Sequence, residues 1–265
     1  MKKPLWKYTI LLIVILAIIL GFMFYLRKLM SSETNDAPRD YHEIKNNGIL
    51  NIITEYNSLG YYVSGDSISG LQYELSQYIA KQANIEVNII LENNLAKSIE
   101  QLLSREVDII ARNIPITNDN KEFLSFTVPL SLNKQVLIQR KFDENNPDIY
   151  IDNQIHLGNK QVYVPKDASA ILRLKNLSEE IAEPIYIEEE VNYTAEQLIY
   201  RVVYKDIDYA VVDYGIALKN IEEFPEIDIN TDISFTQLQS WAVRQESTIL
   251  LDSLNSWITK WKESH

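Results

Sequence analysis

Five segments between Ile49 and Ala111 constrain this chain most, because they alternate two periods. Ile49–Thr54 (ILNIIT) is an apolar run of strand length. From Gly70 a helical period begins, with Leu71, Leu75 and Ile79 on one face. Val87–Leu91 is strand-like again. Leu95–Leu103 is helical with Ile99, Leu102 and Leu103 turned inward, and Val107–Ala111 is a third apolar strand. A β-α-β-α-β series predicts a parallel sheet covered by helices, since parallel neighbours need a helix-length crossover.

A polar loop rich in Asn, Asp and Thr follows Ala111. The next strand-like run, Gln135–Gln139, reads as a crossover into a second lobe, entered through the polar stretch Asp143–Asn153. The alternation then resumes. Strands are expected at Gln161–Val164, Ile185–Ile187 and Tyr209–Val212, and helices at Ser169–Leu177, Thr194–Tyr204 and from Tyr214 to Ile221. Ile227–Ile229 and Ser240–Arg244 are further strands. A last helix from Thr248 to Lys262 carries Leu250, Leu254, Trp257 and Trp261 as its apolar stripe. Trp241 and Trp257 read as core or hinge packing. The expectation is an α/β fold of two lobes with a hinged cleft, residues 45–140 with 225–265 forming lobe 1 and 141–224 lobe 2.

Ahead of this domain, Thr9–Leu26 is an uncharged run of 18 residues flanked by Lys7 on one side and Arg27 and Lys28 on the other. About 20 apolar residues span a bilayer, and the run ends Phe-Met-Phe-Tyr-Leu rather than in the small residues of a cleavage site. Residues 1–28 are therefore expected to be a cytoplasmic tip and an N-terminal transmembrane helix. Residues 29–44, polar and interrupted by Pro38, would be a linker to an extracytoplasmic domain.

Charge and composition exclude several classes of function. The first 28 residues carry five basic residues and no acid, which leaves −17 on the remainder of a chain whose net charge is −12. So acidic a domain is ill suited to nucleic acid or anionic lipid. With no cysteine there is no disulfide framework, thiolate metal site, catalytic cysteine or lipidated cysteine anchor. His42, His156 and His265 lie far apart without metal-ligand spacing, and no cofactor is implied. No phosphate loop or nucleophile elbow occurs. The paired acids at Glu188–Glu190 and Glu222–Glu223 sit in runs typical of solvated faces.

Several stretches, taken in order, carry a resemblance: GILNIITEYN at 48–57, GLQYELSQYIAKQANI at 70–85, LLSREVDIIARNIPIT at 102–117, FTVPLSLNKQVLIQR at 126–140, IDYAVVDYGIAL at 207–218 and WAVR at 241–244. In their order and spacing they resemble the bacterial extracellular solute-binding proteins of family 3. Within that family they are most similar to the non-catalytic amino-terminal module of the membrane-bound lytic murein transglycosylase F group. The resemblance implies a periplasmic-binding-protein type II fold with a cleft for a small polar ligand. Two departures stand out. Amino-acid-binding members place a carboxylate-pairing arginine shortly after the Ile-Thr of the loop, where this chain has Asn120, and an asparagine offers no charged fork. The transglycosylases continue into a lysozyme-like catalytic domain, for which no residues are expected after His265, so no catalytic residue and no enzyme activity are expected.

The candidate ligand-binding residues are Glu55, Tyr56, Arg112, Asn113, Thr117, Asn120, Ser169 and Asp213. The resemblance implies that Asp213 accepts a ligand ammonium; as an ordinary residue it would cap the helix after it. Arg112 reads either as an anion clamp or as half of an ion pair. Glu55 would meet a cation, and Tyr56 would stack on a ring or pack in the core. Asn113, Thr117 and Asn120 offer uncharged hydrogen bonds or serve as turn residues. Ser169 presents a hydroxyl at a helix start or merely caps it, a role Asp167 would share. The functional expectation is a tethered module closing on an amino acid, peptide or muropeptide fragment, for sensing, regulation or transport. Its partners would be a permease or a cell-wall enzyme. A transglycosylase-like role in peptidoglycan turnover and a degenerate, protein-binding cleft are the alternatives.

Overall fold

The alternating periods become two sheets, both within residues 39–264, the part of the chain that the computed structural model describes. In chain order the first part holds helix α1 (Tyr41–Asn47), strand β1 (Ile49–Thr54), a hairpin of β2 (Tyr62–Ser64) and β3 (Ser67–Ser69), helix α2 (Leu71–Ala83), β4 (Glu86–Leu91), α3 (Leu95–Leu103), β5 (Ile109–Pro115), the single turn α4 (Asn118–Lys121), β6 (Leu124–Phe126) and β7 (Ser131–Asn133). The second part holds β8 (Gln135–Arg140), β9 (Gln161–Pro165), α5 (Ala170–Ile181), β10 (Tyr186–Glu190), α6 (Ala195–Val203), β11 (Ala210–Asp213), α7 (Tyr214–Ile221) and β12 (Ile227–Asp228). The chain then returns through β13 (Gln237–Arg244) to α8 (Thr248–Ser264).

The first sheet has the order β4-β1-β5-β13-β6, with β7 also paired to β13. Its β4, β1 and β5 run parallel, with Ile52 opposite Ile89 on one side and Ile109 on the other, and β13 runs antiparallel to β5. The second sheet has the order β10-β9-β11-β8-β12, parallel from β10 to β11 and antiparallel at β8 and β12.

Each sheet is covered on both faces, and the period-two alternation along its strands divides the core. Leu50 and Ile52 of β1 join Ile109 and Ala111 of β5, with Leu75, Ile79, Leu250, Leu254 and Ile258 from α2 and α8. Ile53 and Ile110 turn the other way, toward Leu102 of α3. In the second sheet Val136, Ile138 and Val212 face α6 and α7, while Leu137, Val162 and Val211 face α5. Each large aliphatic buried in this way contributes about 1.5–3 kcal/mol. Caps set the helix boundaries: Thr194 and Gln197 form a reciprocal capping box at α6, and Gly48 ends α1 at φ 74°, a left-handed conformation that suits glycine.

One polar cluster crosses the first core. Asp108, fully buried ahead of β5, accepts from Arg39 Nε at 2.6 Å, Arg39 Nη2 at 2.9 Å and the Asn51 amide at 3.0 Å. Arg244, also buried, lies 3.4 Å from the same carboxylate and donates to the Leu102, Val107 and Arg39 carbonyls. Burial lowers the Arg244 pKa, and the Asp108 charge works against that shift.

Several expectations need correction. Gln135–Arg140 and Ile227–Asp228 belong to the second sheet rather than to lobe 1, because β8 pairs with β11 along its length. Residues 40–44 are part of the folded unit rather than of a linker, since Asp40 caps α1 and also accepts from the Ile249 and Leu250 amides of α8. Leu103 is 48% exposed rather than turned inward; on the last helix Trp257 and Trp261 pack against the core beside the fully buried Ile258. The expected membrane helix at 9–26 lies outside the described residues. Among the described residues no helix is long and apolar enough to cross a membrane.

Asp108→Ala should lower unfolding stability by about 3–5 kcal/mol, because it strands a buried guanidinium without its counter-charge. Urea denaturation followed by circular dichroism measures this, and a loss below 1 kcal/mol would contradict the assignment.

Candidate functional site

Parallel strands deliver their carboxyl ends, and the loops after them, to one edge of each sheet. The two edges face each other across a cavity of about 290 Å³. Glu55 and Tyr56 reach it just after β1, Arg112 and Asn113 from β5, Lys166–Ser169 after β9, and Asp213 from the end of β11. Six of the eight residues expected at the site therefore line it: Glu55, Tyr56, Arg112, Asn113, Ser169 and Asp213.

Thr117 and Asn120 do not. The Thr117 hydroxyl caps α4 by accepting from the Asn120 amide at 3.2 Å, and the Asn120 side chain donates to the Pro115 carbonyl at 3.0 Å. Both residues serve a local turn, which corrects the expectation that they face a ligand. Ser169 does not cap α5 with its side chain; its hydroxyl instead accepts from Gln135 Nε2 at 3.2 Å. Tyr56 is 44% exposed, so it is a cleft residue rather than a core one.

Asp213 opens α7 but makes no capping hydrogen bond. Its carboxylate turns toward the cavity, where Gln135 Nε2 donates to it. It keeps some open surface, yet the walls strip enough water to push its pKa up to about 6, with the nearby Glu55 charge adding to the shift and Arg112 and the Gln135 bond opposing it. Opposite, Arg112 Nη2 lies 2.5 Å from Glu55 Oε2, and Arg112 Nη1 donates to the Asn93 carbonyl at 3.0 Å. A chain of side chains ties the cleft to the core: Gln72 donates to Asn113 at 3.4 Å and accepts from the indole of the buried Trp241.

Contacts also cross the mouth of the cleft. Asn94 donates to Asp167 at 2.6 Å, the Ser58 amide donates to Glu196 at 2.9 Å, and Lys219 donates to the Ser58 carbonyl. The two lobes therefore already touch around the cavity. Reading the sequence missed Asp167, Tyr193, Glu196 and Gln135. The first three lie in loops or a helix start with no distinctive pattern, and only the strand position of Gln135 beside a cleft could have flagged it. Among the described residues no group of His, Asp or Glu is arranged to hold a metal ion.

A two-lobed α/β structure of this topology, with its cleft at the strand ends, has the periplasmic-binding-protein type II fold. The family model for bacterial extracellular solute-binding proteins, family 3, matches residues 50–265, and the chain belongs to that family. Holo ArgBP of T. maritima superposes with a TM-score of 0.72 at 22% identity, covering 84% of this chain and 94% of that one. A substrate-binding protein of an amino acid ABC transporter, AbpA of Streptococcus pneumoniae bound to L-arginine, gives 0.71 at 19% identity over 84% and 93%. Among curated relatives, a membrane-bound lytic murein transglycosylase F of Desulfosudis oleivorans is 26% identical over all of this chain and 55% of its own length. One of Saccharophagus degradans is 25% identical over 91% of this chain and 45% of its own length. The chain thus spans about half the length of the curated relatives it matches.

The raised pKa of Asp213 has a thermodynamic consequence. An unfolded aspartate titrates near about 3.9, so the folded state holds this proton more tightly. The associated stability is present below about pH 4 and is lost as pH rises through about 6. Asp213→Asn should flatten that slope and stabilise the protein at pH 7.5 by about 1–2 kcal/mol, with its partial exposure discounted. Thermal melts from pH 4 to 8 test this, and an unchanged slope would refute it.

Proposed function

We propose that this chain is a membrane-tethered, extracytoplasmic solute-binding module that closes its two lobes over a small polar ligand and performs no chemistry on it. The single observation that carries the reading is the position of Asp213. Its carboxylate leaves the helix start beside it and faces the cleft, partly dehydrated and without a cation of its own, as an ammonium or guanidinium acceptor should. An amino acid, a peptide or a muropeptide fragment meets that requirement. The amino-acid-binding neighbours support it as well.

Closure follows from differential contact: a ligand touching both β5 and β11 favours the state in which the lobes meet. The Asn94–Asp167 and Ser58–Glu196 hydrogen bonds are the latch such a state would use. Tethering near a permease or a cell-wall enzyme would turn closure into transport or regulation. The transglycosylase relatives favour the cell wall as the setting.

A screen of the full chain by thermal shift against amines, amino acids and short peptides should give a hit that Asp213→Ala abolishes, because a ligand bound only to the native state raises the melting point. Since the ligand cation prefers ionised Asp213, its affinity should rise as pH increases through about 6 and level off above. A hit indifferent to both would overturn the role given to Asp213.

A further inference from the structure

Among the described residues Arg112 is the one arginine lining the cleft, and the protein supplies that arginine with a carboxylate of its own. Glu55 Oε2 sits 2.5 Å from Arg112 Nη2, with side chains only 21% and 13% exposed. Nη1 is committed to the Asn93 carbonyl at 3.0 Å, and Nε is enclosed. Each terminal nitrogen of the guanidinium therefore already holds an acceptor from the protein and Nε is enclosed, so an incoming carboxylate has to compete with Glu55 for this arginine. Asn120, the other position from which a carboxylate would be met, is not among the lining residues and donates its side chain to the Pro115 carbonyl.

The walls argue in the same direction. Glu55, Glu92, Asp167, Glu190, Glu196 and Asp213 line the cavity against Lys97, Arg112 and Lys166, so acids outnumber bases by six to three. Arg201 approaches Glu190 at 2.5 Å from beyond the lining and offsets one of these acids. The excess stays negative. A ligand carboxylate would have to displace Glu55 from a dehydrated ion pair and would leave that acid beside Asp213, whose proton affinity Glu55 already raises. Tyr56 and Tyr193 add aromatic faces suited to a cation.

We infer that the cleft selects small organic cations whose carboxylate is absent or blocked, such as amines, guanidines and amino-acid amides, because Glu55 occupies the place at Arg112 that a ligand carboxylate would take. The inference rests on the reading of this cleft as a solute site, and it narrows the ligand by charge.

The test is calorimetric titration of the full chain with matched pairs: arginine against argininamide and agmatine, and lysine against lysinamide and cadaverine. The member without a carboxylate should bind at least about tenfold more tightly, the scale on which an unpaired buried charge acts. Glu55→Gln, which frees Arg112, should narrow or reverse the ratio. Should that variant fail to fold, Glu55→Asp, which shortens the reach to Arg112, takes its place. Wild-type protein that binds the parent amino acids as tightly as their amides would overturn the selectivity while leaving a solute-binding cleft intact. If no member of either pair bound while the wider thermal-shift screen gave a hit, the cation inference would fall and the solute-binding reading would stand; silence in both would overturn the two together.

Discussion

The first lobe is organised around a buried charge that has to be answered. Asp108 is fully enclosed at the entry to β5, and its carboxylate is met from three separate parts of the chain: Arg39 ahead of α1, the backbone of β1, and Arg244 at the end of β13. A buried ion is costly unless its partners are in place, so the cluster ties the start of the domain to its last strand. It also holds β5 in register at the end remote from the cleft. The opposite end of the same strand is then available for Arg112 and Asn113.

Electrostatics divide the protein into two regimes. At the Asp108 end one buried carboxylate is met by two guanidiniums, which ties the sheet together. In the cleft the charges do not balance: Glu55 and Arg112 neutralise each other, and Asp213 is left facing the space with a raised pKa. Such an imbalance opposes folding at neutral pH. The hydrogen bonds across the mouth, from Asn94 to Asp167 and from Ser58 to Glu196, hold the lobes in contact around that charge.

The family assignment and the geometry meet at Arg112. The chain belongs to the family 3 solute-binding proteins, and Asp213 lines its cleft. The arginine looked for after Ile116–Thr117 is absent, and the one that does reach the cleft is already paired. The fold is thus shared while the charge pattern of the site is this chain's own.

Most of the architecture was legible without coordinates because it depends on local periodicity. Apolar runs of strand length alternating with helical stripes, from Ile49 to Ala111 and again from Gln161 to Asp213, allow little besides covered parallel sheets. The ends of those strands also pointed to Glu55, Arg112 and Asp213. Tertiary structure alone decided what these residues do. That Gln135–Arg140 pairs into the second sheet, that Arg112 pairs with Glu55, and that Asn120 turns back on Pro115 all depend on distances between segments remote in the chain or on the path of a loop. Periodicity is a property of neighbours and can be read along the sequence, whereas an ion pair is a property of approach and exists only once the chain has folded.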